Sequence, residues 1–231
     1  KRPLGDVDFV MVREGTEGLY AGLEHRLTDD VAITIRKITK MSSERIARYA
    51  FKLARERGWE KVIAVHKANI CKETCGLFLS AVKGVANEFE GISIEDYFVD
   101  NFAQQLVKNP QRFDQNVIVG TNLFMDILSE EAAALVGSIG CIYSANIGDR
   151  YAMFEPAHGS SPKYKGLGKV NPTAMILAGA WMIGHLGEGE KSEAIFKATR
   201  SVIEEGKRIT YDLGGRATTM EMADEIARRI K

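Results

Sequence analysis

The sequence predicts an α/β protein of two lobes, built on a largely parallel or mixed sheet flanked by helices and lacking a Rossmann core. Three observations carry that expectation. Short apolar runs of strand length alternate with segments of helical period from Val7 to Leu135. A glycine-rich stretch, Gly137–Gly148, then changes the texture of the chain. No G-x-G-x-x-G follows any strand-like run, so the dinucleotide fingerprint of the Rossmann fold is missing.

Val7–Val12 reads as a short buried strand between Gly5-Asp6 and Arg13-Glu14. Val31–Ile38 alternates apolar and polar residues, the pattern of a half-exposed strand. Ser43–Arg57 carries Ile46, Tyr49, Ala50 and Leu53 at helical spacing, with Ser42 as amino-terminal cap and Gly58 as stop. Lys61–Val65 reads as a second buried strand, Cys71–Asn87 as a helix and Ile92–Val99 as a strand. Phe102–Lys108 is a short helix, Val117–Val119 a strand and Leu123–Leu135 a helix. The lobe boundary is expected near Gly137, giving residues 1–136 and 137–231. Gly159–Pro172 reads as a long loop. Asn171 as cap and Pro172 at the first helical position open a helix to Leu186. Another helix spans Ser192–Glu205, and Thr218 with Glu221 forms a capping box at the start of the last one.

Composition narrows the function classes. Lys+Arg and Asp+Glu are 31 each, so there is no basic excess and nucleic acid is not an expected partner. The longest apolar run, about Ala174–Ile183, is half a membrane span, so no membrane partner is expected either. Three cysteines at low density fit a reducing cytosol and a cytoplasmic location. Cys71 and Cys75 stand four apart with no further thiol or imidazole nearby, which points to core packing and not to zinc. The chain begins Lys1-Arg2-Pro3 without Met and is expected to be a piece of a longer protein.

Four constellations could carry chemistry. Asp126 and Glu130 share one helix face and either hold a divalent ion or form a solvated acidic face. Asp100 ends a strand and is a third candidate ligand. Arg13 and Tyr20 flank a polar segment after the first strand. They read either as a carboxylate clamp with a proton donor or as a surface loop with a packed ring. Lys67, at another strand end, is a candidate base or a solvated cation. His158-Gly159-Ser160-Ser161-Pro162 with Lys163 and Tyr164 could hold phosphates, or be a basic surface turn.

Eight segments, taken in register, give these residues a common setting. They are Val12–Gly22, Val65–Ile70, Val99–Asn101 leading to Gln105-Leu106-Val107 and Pro110, and Asn122–Phe124 with Asp126–Ser129. Ser144–Asp149, Glu155–Ser160, Asn171–Ala174, and Asp212–Gly215 with Ala217–Thr219 complete the set. Together they resemble the isocitrate/3-isopropylmalate/homoisocitrate dehydrogenases, metal-dependent decarboxylating enzymes.

The resemblance implies an isopropylmalate/isocitrate-dehydrogenase-like fold. Residues 1–136 would be the small substrate and dimerisation lobe with the metal-ligand helix. Residues 137–231 would be the carboxyl-terminal part of the large dinucleotide-binding lobe, the family's amino-terminal segment being absent. It also implies roles. Arg13 binds a substrate carboxylate, Tyr20 protonates the product of decarboxylation, and Lys67 is part of the base in the active site of the partner subunit. Asp126 and Glu130 bind Mg²⁺ or Mn²⁺ in cis, and Asp100 does so in the partner of a homodimer whose active sites are shared between subunits. The loop from His158 through Gly159, Ser160, Lys163 and Tyr164 to Asn171, together with Tyr211, binds the dinucleotide. Lys163-Tyr164 is similar to the pair found in NADP-dependent isocitrate dehydrogenases, where NAD-using members usually carry Asp. The implied reaction is NADP-dependent oxidation of isocitrate, a small-molecule 2-hydroxy acid, to 2-oxoglutarate and CO₂. The alternatives are 3-isopropylmalate or homoisocitrate with NAD, or a non-catalytic regulatory subunit. The chain departs from the family pattern at four places. Met125 replaces a Gly, Glu130 replaces an Asp, Gln115-Asn116 are extra residues, and Gly215 stands where an Arg is expected, with Arg216 one place late.

Overall fold

The computed structural model describes residues 7–231, apart from the side chain of Val136, so the expected Gly5-Asp6 boundary lies outside the described residues. The chain divides into two compact units, Lys1–Ala132 and Ala133–Lys231.

The first unit contains strands β1 (Phe9–Arg13), β2 (Glu24–Thr28), β3 (Val31–Thr34), β4 (Lys61–His66), β5 (Ser93–Phe98) and β6 (Asn116–Gly120). Its helices are α1 (Lys40–Arg57), α2 (Lys72–Ala86), α3 (Val99–Lys108) and α4 (Asn122–Val136), the last of which crosses into the second unit. Four strands form one parallel sheet in the order β1-β6-β4-β5. The two inner strands are apolar along their length because helices cover both faces of a parallel sheet. All of β6 and all but the first residue of β4 are buried. Val62, Ala64, Val117 and Val119 of these strands pack with Ala47, Phe51 and Phe78 of α1 and α2 in one core cluster.

Element edges differ from expectation where local chemistry allowed two answers. Helix α1 starts at Lys40, three residues early. Thr39, extended at φ −116° and ψ 150°, accepts the Ser42 amide on its hydroxyl, so Thr39 is the cap and Ser42 lies inside the helix. Gly58 closes α1 as expected, at φ 68°, where a side chain would be strained. Helix α3 starts at Val99, which puts Asp100 in its first turn instead of at the end of β5. A carboxylate is favoured there by the amino-terminal end of the helix dipole. The expected strand Val31–Ile38 ends at Thr34 and pairs antiparallel with β2, forming a hairpin whose residues are all exposed.

The second unit holds an antiparallel hairpin, β7 (Tyr143–Ile147) with β8 (Ala152–Pro156), and helices α5 (Thr173–His185), α6 (Gly189–Glu205) and α7 (Thr219–Arg229). Trp181 of α5 lies edge-on to Tyr143 and Phe154 of the hairpin, with 5.8 Å between centroids in both cases. Asn171 Oδ1 accepts the Thr173 amide at 2.9 Å and so caps α5. Thr218 and Glu221 form the expected capping box on α7. Ala198, Val202, Met222 and Ile226 join α6 to α7. Cys71, Cys75 and Cys141 are free, with Cys75 buried and Cys71 half-buried at the start of α2. Among the described residues no helix is long and apolar enough to cross a membrane.

Candidate active site

The parallel sheet brings the carboxyl ends of its four strands to one edge, the edge at which open α/β sheets bind ligands. Arg13 is the last residue of β1, and Thr121 and Asn122 follow β6. Lys67 follows β4, and Asp100 stands two residues after β5.

Arg13 anchors the first cluster. Its Nη1 donates to Asp126 Oδ1 at 2.6 Å, and its Nε and Nη2 both donate to Asn122 Oδ1 at 3.0 and 2.7 Å. Tyr20 presents its ring 4.9 Å from the same guanidinium and is 56% exposed. The loop between Arg13 and Tyr20 is shaped by a buried carboxylate. Glu14 accepts from the amides of Thr16 and Glu17, from the Thr16 hydroxyl and from Arg45. Glu130 is exposed one turn beyond Asp126 on α4. Met125, between Asn122 and Asp126, is wholly buried. It packs on Gly120, where an added Cβ would stand 2.7 Å from its Sδ. The change from the family's Gly is therefore absorbed by the core. Sequence reasoning gave Asn122 no role and missed Arg36. Arg36 donates to Thr121 Oγ1 at 2.8 Å and lies 4.8 Å from the Phe124 ring. Its only signal in the sequence was a cation within a stretch read as strand.

Lys67 and Asp100 form the second cluster. Lys67 Nζ donates to Asp100 Oδ1 at 2.6 Å, with Lys67 23% and Asp100 67% exposed. That hydrogen bond holds the Asp100 carboxyl below the ordinary range. The chain thus pairs Arg13 with Asp126 and Lys67 with Asp100. Among the described residues no three His, Cys, Asp or Glu side chains are grouped so as to hold a metal ion, so Asp100, Asp126 and Glu130 do not converge within one chain.

The expected dinucleotide residues lie in the second unit. His158 is half-buried and turned to the Gly159 carbonyl, 2.9 Å away, with Ser160 exposed beyond. Ser161 adopts φ 45° and leads into a single turn, Pro162–Tyr164. Lys163 lies 5.0 Å from the Tyr164 ring and Lys169 4.4 Å from the Tyr211 ring, and the two rings are 6.1 Å apart. The neighbouring phenol of Tyr211 lowers Tyr164 from the usual phenol value, and Tyr164 in turn raises Tyr211. Lys169, Tyr211, Arg216 and Thr218 line a cleft of about 280 Å³. Gly215 explains the displaced arginine. A Cβ there would fall on the Ile209 carbonyl, 2.7 Å from its carbon, so no side chain fits and the cation stands at Arg216. Asn171 is buried and faces inward. Its Nδ2 donates to Asp212 Oδ2 at 2.9 Å, and Ser138 and Thr210 donate to the same carboxylate, each at 2.6 Å. Burial opposes charge on Asp212, but these donors outweigh it and hold the carboxyl below the ordinary range. Burial pushes the nearby Cys141 thiol up to about 11.

The chain matches the model of the Isocitrate/isopropylmalate dehydrogenase family over residues 1–226. It is 49% identical over 221 residues to a 3-isopropylmalate dehydrogenase of Archaeoglobus fulgidus, covering 96% of this chain and 67% of that protein. It is 49% identical over 225 residues to an isocitrate/homoisocitrate dehydrogenase of Thermus thermophilus, covering 97% and 66%. The crystal structure of isocitrate dehydrogenase from Methylococcus capsulatus superposes with a TM-score of 0.94 at 47% identity, over 99% of this chain and 68% of that one. The chain spans about two thirds of the length of these relatives, 66% to 68%. It belongs to the isocitrate/isopropylmalate dehydrogenase family.

Proposed function

We propose that the whole protein carries out the metal-dependent oxidative decarboxylation of isocitrate to 2-oxoglutarate with NADP. The observation that carries this reading is the meeting of Arg13, Asn122, Asp126 and Tyr20 at the carboxyl edge of the sheet. Asp126 and Glu130 offer hard oxygen donors suited to Mg²⁺ or Mn²⁺. Two donors on one helix are fewer than such an ion needs, so substrate, water and Asp100 of a second copy complete the set in a homodimer with shared sites. When bound, the ion supplies Lewis-acid polarisation and the dinucleotide accepts hydride. Arg13 exchanges Asp126 for a substrate carboxylate, which its planar fork grips bidentately. Lys67, serving the second copy, is part of the base that takes the hydroxyl proton. Tyr20 gives its phenolic proton to the carbon that has lost CO₂. In the second unit Lys163, Lys169 and Arg216 surround Tyr164 and Tyr211 with cations, which favours a 2′-phosphate over a bare ribose.

A second reading, 3-isopropylmalate or homoisocitrate with NAD, is favoured by relatives that bear those names at 46% to 49% identity. The regulatory-subunit alternative rested on Met125 and Glu130, and it loses its first support because Met125 faces the core. The deciding assay follows NAD and NADP reduction by the full-length protein with Mg²⁺ and each of the three acids. Fastest turnover of isocitrate with NADP is expected. Turnover of another acid with NAD selects the second reading, and no turnover with any pair refutes both.

A further inference from the structure

His66, the last residue of β4, is 2% exposed and directly precedes Lys67. A buried imidazole is ordinarily a packing residue, but both ring nitrogens here are engaged in a directional way. The Ala68 amide donates to Nδ1 at 3.1 Å. A nitrogen that accepts a backbone proton carries none itself, so the ring proton is on Nε2. Nε2 donates in turn to Asp96 Oδ2, also at 3.1 Å. Asp96 belongs to the neighbouring strand β5 and is fixed on its other oxygen by Lys83 at 2.8 Å. Phe98 closes on the ring edge-on, with centroids 5.3 Å apart.

These bonds enclose Lys67 on both sides. The imidazole holds the amide of the residue after it, and the Lys67 carbonyl accepts the amides of Ile70 and Cys71 at 3.0 and 2.8 Å. With Ala68 N–H tied to the His66 ring, the backbone torsions of Lys67 are set, and with them the direction in which its side chain leaves the strand.

We propose that His66 is the positioning residue for Lys67. As the Nε2–H tautomer, clamped between the Asp96 carboxylate and the Ala68 amide, it fixes the turn that presents Lys67 Nζ to the reacting hydroxyl. This rests on the reading of Lys67 as part of the base.

The test uses four variants of the full-length protein: His66→Ala, His66→Asn, His66→Gln and Lys67→Ala. Asn carries its carbonyl oxygen where Nδ1 stands, so it keeps an acceptor for Ala68 and gives up Asp96. Gln reaches Asp96 and leaves the Ala68 amide without its acceptor. A misplacement of about 1 Å in a reacting group costs about 100-fold, so His66→Ala should lower kcat by roughly that factor while KM holds within about threefold. His66→Asn should recover most of kcat and His66→Gln should not. If His66→Ala fails to give a cooperative melt, the Asn and Gln pair decides alone. Equal losses in those two variants overturn the proposal, as does a kcat for His66→Gln within about threefold of the parent. Lys67→Ala separates the two ideas. Full activity in that variant removes the base reading itself, whereas an inactive Lys67→Ala beside an unimpaired His66→Ala removes only the positioning role.

Discussion

Replacing Asn171 with Ala removes a weak bond from Nδ2 to the Cys141 sulfur at 3.6 Å together with two stronger hydrogen bonds, and breaks the polar centre of the second unit. One is the bond from Nδ2 to the Asp212 carboxylate at 2.9 Å. A hydrogen bond to a charged partner contributes about 1.5–3 kcal/mol. The other is the cap on α5, from the Thr173 amide to Oδ1 at 2.9 Å, and losing such a cap costs about 1 kcal/mol. The expected loss is then about 3 kcal/mol, out of the 5–15 kcal/mol of a typical fold. For a chain of this length that lowers Tm by about 6–12 °C. Ser at 171 keeps a capping oxygen without reaching Asp212, so Asn171→Ser should recover only about 1 kcal/mol of the loss. Urea unfolding read by tryptophan fluorescence measures both. The protein has two tryptophans, and Trp181 lies on α5 itself. In a Trp59→Phe background its emission reports the unit under test. An Asn171→Ala variant within about 0.5 kcal/mol of its parent would refute the reasoning, as would a Ser variant no better than Ala.

Asp212 links the same network to pH. Its folded carboxyl titrates below the ordinary value, so its stabilisation is present above about pH 3.9 and is lost as pH falls through the folded value. Asp212→Asn should flatten that acid limb in pH-dependent melts, and an unchanged limb would count against it. Gly215→Ala forces a methyl onto the Ile209 carbonyl and should cost about 1–3 kcal/mol by thermal denaturation. Lys163→Asp should lower kcat/KM for NADP relative to NAD by about tenfold, equivalent to about 1.4 kcal/mol. An unchanged ratio of the two specificity constants would remove Lys163 from cofactor choice.

What could be read from the sequence follows from how local each cause is. The buried strands around Lys61–Val65 and Val117–Val119 announce themselves because both faces of a parallel sheet are covered. The capping box at Thr218 was legible because both partners lie within one turn. The hairpins were not. β2 reads Glu-His-Arg-Leu-Thr and has no apolar face to alternate, because nothing in its own chain covers it. β7 and β8 are half-buried; β7 falls where glycine content suggested only a change of texture, and β8 follows just beyond it. Thr39 and Ser42 are both capping residues, and only the extended backbone at Thr39 decides between them. At the candidate site the separate residues could be named from strand ends. Their pairing could not, because Arg13 meets Asp126 only through the order β1-β6-β4-β5, which no local pattern encodes.

If Arg13 takes an anion and Asp126 a cation, as proposed, their ion pair makes the two groups each other's competitor. An anion that takes Arg13 must displace a carboxylate, and a cation that takes Asp126 must displace a guanidinium. Once either has done so, the other finds its partner already released. The two ligands are thus coupled without any movement of the sheet, and linkage requires the coupling to be the same in both directions. Its size is bounded by what the pair itself contributes. With side chains 36% and 38% exposed, that is about 0.2–1 kcal/mol, so each ligand should raise the affinity for the other up to about fivefold through this contact. Before either ligand arrives, opposite charges at contact largely cancel each other's field at a distance. The pair by itself then gives little long-range attraction to a free anion or a free cation.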